Sequence, residues 1–282
     1  MRDQALNDSY RRCQELARSS SFYAGLRLLP SSKRRALTAV YAFMRQCDDI
    51  SDTEGNEAEK RQRFVQIRRR LDLALAGDFA KDETLPALRD TIGLFQIPTH
   101  YFHQVIDGTE MDLTCSTYAT FEELHRYCYH VASVVGLICI HIFGFRDPRA
   151  NEYAIDCGIA FQLTNILRDI REDLDRNRIY LPLEDLQRFN YSEWDLRRQV
   201  KNDCFQALMA FEIDRTESYY SKASALIGLL ERDSRRAFTA MFEGYWTLLQ
   251  RIKKHSSSVL DKRLRLNATD RLRVAIKALA SR

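Results

Sequence analysis

The sequence predicts an all-α, single-domain protein. Chain breakers are few, apolar residues recur at helical spacing, and no run alternates as a strand would. Only 10 Gly and 5 Pro punctuate 282 residues, which favours long helices over many short strands. Hydrophobic residues make up 45% of the chain, enough for a sizeable core in one domain of this length. Ala36, Val40, Phe43, Cys47 and Ile50 step by four, three, four and three, the rhythm of one helical face. Ile155, Ile159, Leu163, Ile166, Ile170 and Leu174 repeat it. Further helices are expected over the run from Leu208 through Leu230 and over Ser234–Ile252.

Joints fall where the turn residues sit. Leu29-Pro30-Ser31-Ser32 ends one helix and offers Ser31 or Ser32 as the next N-cap. Ile97-Pro98-Thr99 and Asp147-Pro148 mark others, and Asn177–Ser192, with Pro182 inside it, is the longest expected non-helical stretch. No linker, repeat or low-complexity tract divides the chain, so roughly ten helices are expected in one domain.

Charge and cysteine usage narrow the function classes. With 43 basic and 39 acidic residues the net charge is +4, without the concentrated basic excess of a nucleic-acid binder. Lys33-Arg34-Arg35, Arg68-Arg69-Arg70 and Lys262-Arg263 read first as solvated helix faces, with attraction to anionic lipid head groups as the alternative. Seven cysteines, an odd number with no CxxC pair, argue against a disulfide framework or structural zinc and for a reducing cytoplasm. Met1-Arg2-Asp3-Gln4 opens no signal-like region, and the most apolar stretch, Val131–Phe145, is too short for a bilayer span. A cytoplasmic protein is expected, at most peripheral on the membrane, with no obligate protein partner.

Two acidic rows carry the chemistry. Asp48 and Asp52 lie one turn apart, roughly 6 Å along a helix axis, and Tyr41 and Arg45 extend the same face within about 60° of the wheel. Ala36, Val40, Phe43 and Cys47 take the opposite side. Asn165, Asp169 and Asp173 form a second ridge about 12 Å long. Gln162 lies on that ridge, Glu172 flanks it, and it borders the apolar row of its helix. Aligned carboxylates repel one another unless something positive sits among them. Mg2+ is commonly held by one or two carboxylates plus substrate phosphates, so two facing rows suit a metal-clamped diphosphate. Arg45, Arg168 and Arg171 stand ready to add charge-assisted bonds. Either row alone reads as a solvated face or salt-bridge ladder; two of them, each with an adjacent arginine, suit a site as well as they suit a solvated face.

Together with these rows, ordered blocks between Ser19 and Pro182 resemble those of the squalene/phytoene synthase family. Ser19-Ser20-Ser21-Phe22-Tyr23, Leu28-Leu29-Pro30 and Tyr41 through Asp52 look like its opening. Gly108-Thr109-Glu110-Met111-Asp112-Leu113 resembles its GMEMDL segment, with Thr109 in place of Met. Tyr127 through Gly136 resembles YCxxVAxxVG, Phe161 through Asp173 resembles QLTNILRDxxED, and Arg178-Ile179-Tyr180-Leu181-Pro182 resembles RxYLP. The resemblance implies a class I isoprenoid synthase fold, with helices around a central cavity, and head-to-head joining of two prenyl diphosphates. It implies Asp48, Asp52, Asp169 and Asp173 as Mg2+ ligands. Ser19, Ser21, Tyr41, Arg45, Gln162, Asn165 and Arg178 would contact diphosphate, and Phe22 would line the tunnel. Tyr129 and Tyr180 would lie near the reacting carbons.

The opening block looks closer to hopanoid-pathway presqualene and squalene synthases. Two farnesyl diphosphates giving presqualene diphosphate, continuing to squalene with NADPH, is therefore the first expectation. Phytoene synthesis from two geranylgeranyl diphosphates is the alternative. A terpene cyclase would share the fold and the first acidic row, but its usual second motif has Ser or Thr where Asp169 stands. A greasy product implies transient contact with a membrane surface.

Overall fold

The computed structural model describes residues 2–18, 23–53, 55–79 and 82–281. Ser19, Ser21 and Phe22 fall outside them. Fifteen α-helices are described, ten of them ten residues or longer, and among the described residues the only β features are two isolated bridges, Thr117 to Ile179 and Phe145 to Leu230. In order they are α1 (Arg2–Ala17), α2 (Tyr23–Leu26), α3 (Ser31–Asp52), α4 (Glu57–Ala76), α5 (Leu85–Leu94), α6 (His100–Met111), α7 (Phe121–Cys128) and α8 (Val134–Phe143). A π-helical turn, Tyr129–Ser133, joins α7 to α8. There follow α9 (Ala150–Asp175), α10 (Leu183–Arg188), α11 (Glu193–Arg197), α12 (Asp203–Ala223), α13 (Leu226–Leu229), α14 (Arg232–Lys254) and α15 (Ala268–Ala280).

Local chemistry sets most boundaries. Asn56 caps α4 by accepting from the Glu59 amide, and Gly77, at φ 97°, closes it in the left-handed conformation. Asn202 and Asn267 cap α12 and α15 in the same way. The expected serine cap of α3 is absent: Pro30 holds the N-cap position without a side-chain bond, and both serines lie inside the helix. Pro182, expected to mark a non-helical stretch, instead directly precedes α10. The long helix expected through Leu230 breaks after Ala223, leaving α13 as a separate turn.

α9 is the central strut. It packs against α8, the π-turn, α12 and α14, while α3 packs against α1, α5 and α6. One apolar cluster joins α3 to α6, α8 and the start of α9; a second joins the rest of α9 to α12 and α14. α7, the π-turn and α8 run as one helical stretch, Phe121–Phe143. By length and composition it alone, among the described residues, suffices to cross a membrane. It is longer than the apolar stretch that composition singles out because it starts at Phe121. Val134, Leu137, Ile138, Ile140, Ile142 and Phe143 bury its apolar side in the core.

The crossing of this stretch with α9 is unusually close. A Cβ on Gly158 would sit 2.4 Å from the Ser133 Cα, and one on Gly136 2.9 Å from the Ala154 carbonyl oxygen. The Ser133 hydroxyl donates to the Ile155 carbonyl at 2.8 Å, tying the π-turn to α9. Gly158→Ala forces backbone apart and is expected to destabilise by about 1–3 kcal/mol, read as a lowered midpoint in urea unfolding.

A buried cluster of Arg215, Asp185 and Glu212 ties α10 to α12. Arg215 Nη1 donates to Asp185 at 2.8 Å and to Glu212 at 2.9 Å, and both carboxylates are almost wholly enclosed. Burial outweighs the arginine and pushes the Glu212 carboxyl up to about 8. Between about 4.5 and 8 the folded chain therefore holds a proton that the unfolded chain has released. Stability is expected to fall as pH rises through that window, and Glu212→Gln to flatten the dependence of Tm on pH.

Candidate active site

The two acidic rows face each other across a mouth of about 220 Å³. α3 contributes Arg45, Asp48 and Asp52; α9 contributes Gln162, Asn165, Asp169 and Asp173; Arg178 and Tyr180 follow on the loop after α9. Helical periodicity explains the placement: Ala36, Val40, Phe43 and Cys47 are buried at 0–2% exposure and turn the opposite stripe of α3 to the opening.

Behind the mouth lies a larger, mainly apolar chamber of about 480 Å³, sharing Asp48, Asp112, Tyr127, Gln162 and Asn165 with it. Its walls include Leu37, Val40, Tyr41 and Met44 on α3, Val135, Cys139 and Phe143 on α8, and Ala154, Cys157 and Phe161 on α9. Tyr245 of α14 stacks on Phe161 with centroids 4.2 Å apart. Aromatic faces of this kind stabilise positive charge in a dry site.

The electrostatics of the mouth favour an incoming cation. Loss of water in the concavity, and then Asp52, push the Asp48 carboxyl up to about 7. Burial, and then Asp169, do the same for Asp173, also to about 7. Arginines meet the remaining charge. Arg168 grips Asp169 through two bonds of 2.7 and 2.5 Å, Arg263 approaches the same carboxylate at 3.0 Å, and Arg176 reaches Asp52 at 3.7 Å.

Several expected residues sit elsewhere. Tyr41 lines the chamber and not the mouth. Arg168 faces Asp169 from outside the walls, and Arg171 pairs with Asp175 at 3.2 Å. Tyr129 opens the π-turn with its ring against His130 and packs against both apolar clusters, while Tyr127 and Val131 line the chamber.

Four site residues were not picked out by spacing. Asp112 accepts from the Tyr180 hydroxyl at 3.0 Å, and its backbone carbonyl accepts from Arg178 at 3.1 Å. Burial, only partly offset by Arg178, holds its carboxyl above the usual range. Asp112 and Tyr127 fall inside blocks that carry the family resemblance. Arg176 has no comparable signal, and Arg263, read as part of a solvated basic pair, bonds Glu172 at 3.1 Å as well as Asp169.

Comparison with known proteins fits this geometry. The sequence model of the squalene/phytoene synthases matches residues 16–270. The chain belongs to the squalene/phytoene synthase family. It is 38% identical over 273 residues to the 15-cis-phytoene synthase of a Synechocystis species, covering 92% of this chain and 81% of that one. It is 36% identical over 281 residues to the phytoene synthase of Mycobacterium tuberculosis, covering 98% and 92%. A dehydrosqualene synthase crystal structure superposes with TM-score 0.89 at 27% identity, over 99% of this chain and 98% of that one. Squalene synthase HpnC from Alicyclobacillus acidocaldarius gives 0.83 at 28%, over 89% and 95%. As a member of this family the chain is a prenyltransferase of the head-to-head type, built on the all-α isoprenoid synthase fold.

Family members use Mg2+ with diphosphate substrates, and the donor set here fits that use. No three His, Cys, Asp or Glu side chains among the described residues converge on one point as an all-protein metal cage. The carboxylates instead stand in two rows with space between them, the arrangement expected when substrate phosphates complete the coordination. Asn165, which lines both mouth and chamber, keeps its Oδ1 buried and without a hydrogen-bond partner among the described residues.

Proposed function

We propose that this enzyme condenses two molecules of geranylgeranyl diphosphate, as a phytoene synthase does. The names of the two relatives above carry the reading, and the length of the chamber admits it. From Asp48 to Leu37 on α3, and from Asn165 to Ala154 on α9, the walls run for eleven residues, about 16 Å. From Tyr127 to Phe143 they run for about 24 Å. At about 1.25 Å advance per carbon–carbon bond, taken from bonds near 1.5 Å and angles near 111°, an extended four-isoprene chain spans about 19 Å and a three-isoprene chain about 14 Å. On α3 and α9 the walls fall between the two lengths and along α7 and α8 they exceed both, so the chamber admits the longer chain. Both relatives are phytoene synthases, which favours this substrate over the farnesyl diphosphate expected first from the opening block.

In this reading Asp48, Asp52, Asp169 and Asp173 hold Mg2+, which when bound neutralises the charge growing on the departing diphosphate. Arg45, Arg178 and Arg263 bond its oxygens, and Gln162 and Asn165 orient it. Ionisation of one substrate leaves an allylic cation against the rings of Phe161 and Tyr245. The double bond of the second substrate attacks that carbon, and loss of a proton closes a cyclopropane. A second ionisation and rearrangement, ended by another proton loss, gives phytoene without any hydride donor, so NADPH has no part. Asp112, with Tyr127 and Tyr180 around it, is the group placed between mouth and chamber to hold a proton.

Incubation with each diphosphate and Mg2+, followed by chromatography of the hydrocarbons, tests the proposal. A forty-carbon product from geranylgeranyl diphosphate is expected without NADPH. Turnover of farnesyl diphosphate alone would overturn it.

A further inference from the structure

The outer face of α15 is apolar, and nothing covers it among the described residues. Leu272, Ile276 and Leu279 are 61%, 58% and 61% exposed, although at i, i+4 and i+7 they share one stripe. On a helical wheel the stripe, with Ala275 and Ala280, covers an arc of roughly 140°. Arg271 borders that arc on one side and Arg273 on the other, each about 100° from Leu272. The inner face is fixed to the body. Ala278 is buried, Asp270 pairs with Arg251 at 3.1 Å, Lys277 with Glu243 at 2.7 Å, and the Ser281 hydroxyl meets that of Thr239 at 3.1 Å. The exposed stripe therefore does not arise from a detached or half-packed helix.

We infer that α15 is a membrane-docking helix whose partner is an anionic lipid surface. Charge singles out that partner. Lys262, Arg265, Arg271 and Arg273 are exposed and pair with no carboxylate among the described residues. The two acids of the same segment are both engaged, Asp261 with Lys201 and Asp270 with Arg251. An apolar arc edged by arginines, with no free acid near it, lies in the headgroup layer with its leucines in the acyl region and the guanidinium groups at the phosphates. Position gives the docking a use. α14, against which α15 packs, supplies Phe238, Met241 and Tyr245 to the chamber, and Arg263, five residues before α15, touches Asp169 at the mouth. A bilayer seated on α15 thus lies beside the site that handles the prenyl chains, whatever their length.

Flotation of the full chain with vesicles tests this independently of turnover. Wild type is expected to float with vesicles containing phosphatidylglycerol, and to do so at least ten-fold less with pure phosphatidylcholine or at high salt. Ile276→Glu and Leu272→Glu are each expected to reduce flotation at least ten-fold while leaving Tm and turnover of detergent-dispersed substrate unchanged. Arg271→Glu with Arg273→Glu is expected to remove the preference for phosphatidylglycerol. Wild type remaining unbound with both vesicle types would overturn the inference. So would light scattering that shows a dimer which Leu272→Glu dissociates, because the stripe would then be covered by a second copy.

Discussion

Asp48→Asn is expected to lower kcat by about 10³-fold while leaving the fold and its Tm in place. Asp48 lies open to the mouth, and its carboxyl is already pushed up toward 7 by its surroundings and by Asp52. Removing that charge relieves repulsion, so stability should hold or rise slightly, as is common where a site is arranged for chemistry. Turnover has no such relief. Neutralising a departing diphosphate supplies several kcal/mol of transition-state stabilisation, and about 4 kcal/mol corresponds to roughly 10³ in rate. Asp169→Asn should lose activity to a similar extent, but with a small drop in Tm, because it weakens the contacts to Arg168 and Arg263. Single-turnover rates with thermal melts on the same samples check both. Either variant at wild-type rate would remove that residue from the set proposed to hold the metal.

Cys139→Phe is expected to change which substrate the enzyme accepts. Cys139 lines the chamber on α8, and Cys157, about 12 Å from Asn165 along α9, neighbours it there. An aromatic ring at that level blocks the inner end. The remaining depth falls well short of the about 19 Å an extended four-isoprene chain needs but approaches the about 14 Å of a three-isoprene chain. Specificity for geranylgeranyl diphosphate, as kcat/KM, should fall by at least 100-fold, about 3 kcal/mol of lost transition-state binding, with farnesyl diphosphate affected far less. Competition assays with both substrates read the ratio directly. An unchanged ratio would mean that the prenyl chain does not run past Cys139.

The acidic rows were legible because each lies on one helix, where spacing alone fixes which side chains share a face. Asp48 with Asp52, and Asn165 with Asp169 and Asp173, needed only the helical period, and they line one mouth. Contributions from other elements were not legible in this way. Arg263 reaches Asp169 from the segment before α15, and no local pattern encodes that approach. The docked side of α15 was hidden for a related reason: hydrophobic spacing marks a stripe without saying whether the stripe faces the core or the solvent.

The central claim is that both rows act together on one diphosphate. Calorimetric titration of a non-hydrolysable geranylgeranyl diphosphate analogue into wild type, Asp48→Asn and Asp169→Asn, with and without Mg2+, tests it most directly. Binding by wild type should require Mg2+, and each single variant should weaken it at least ten-fold. Tight binding without metal, or undiminished binding by either variant, would contradict it.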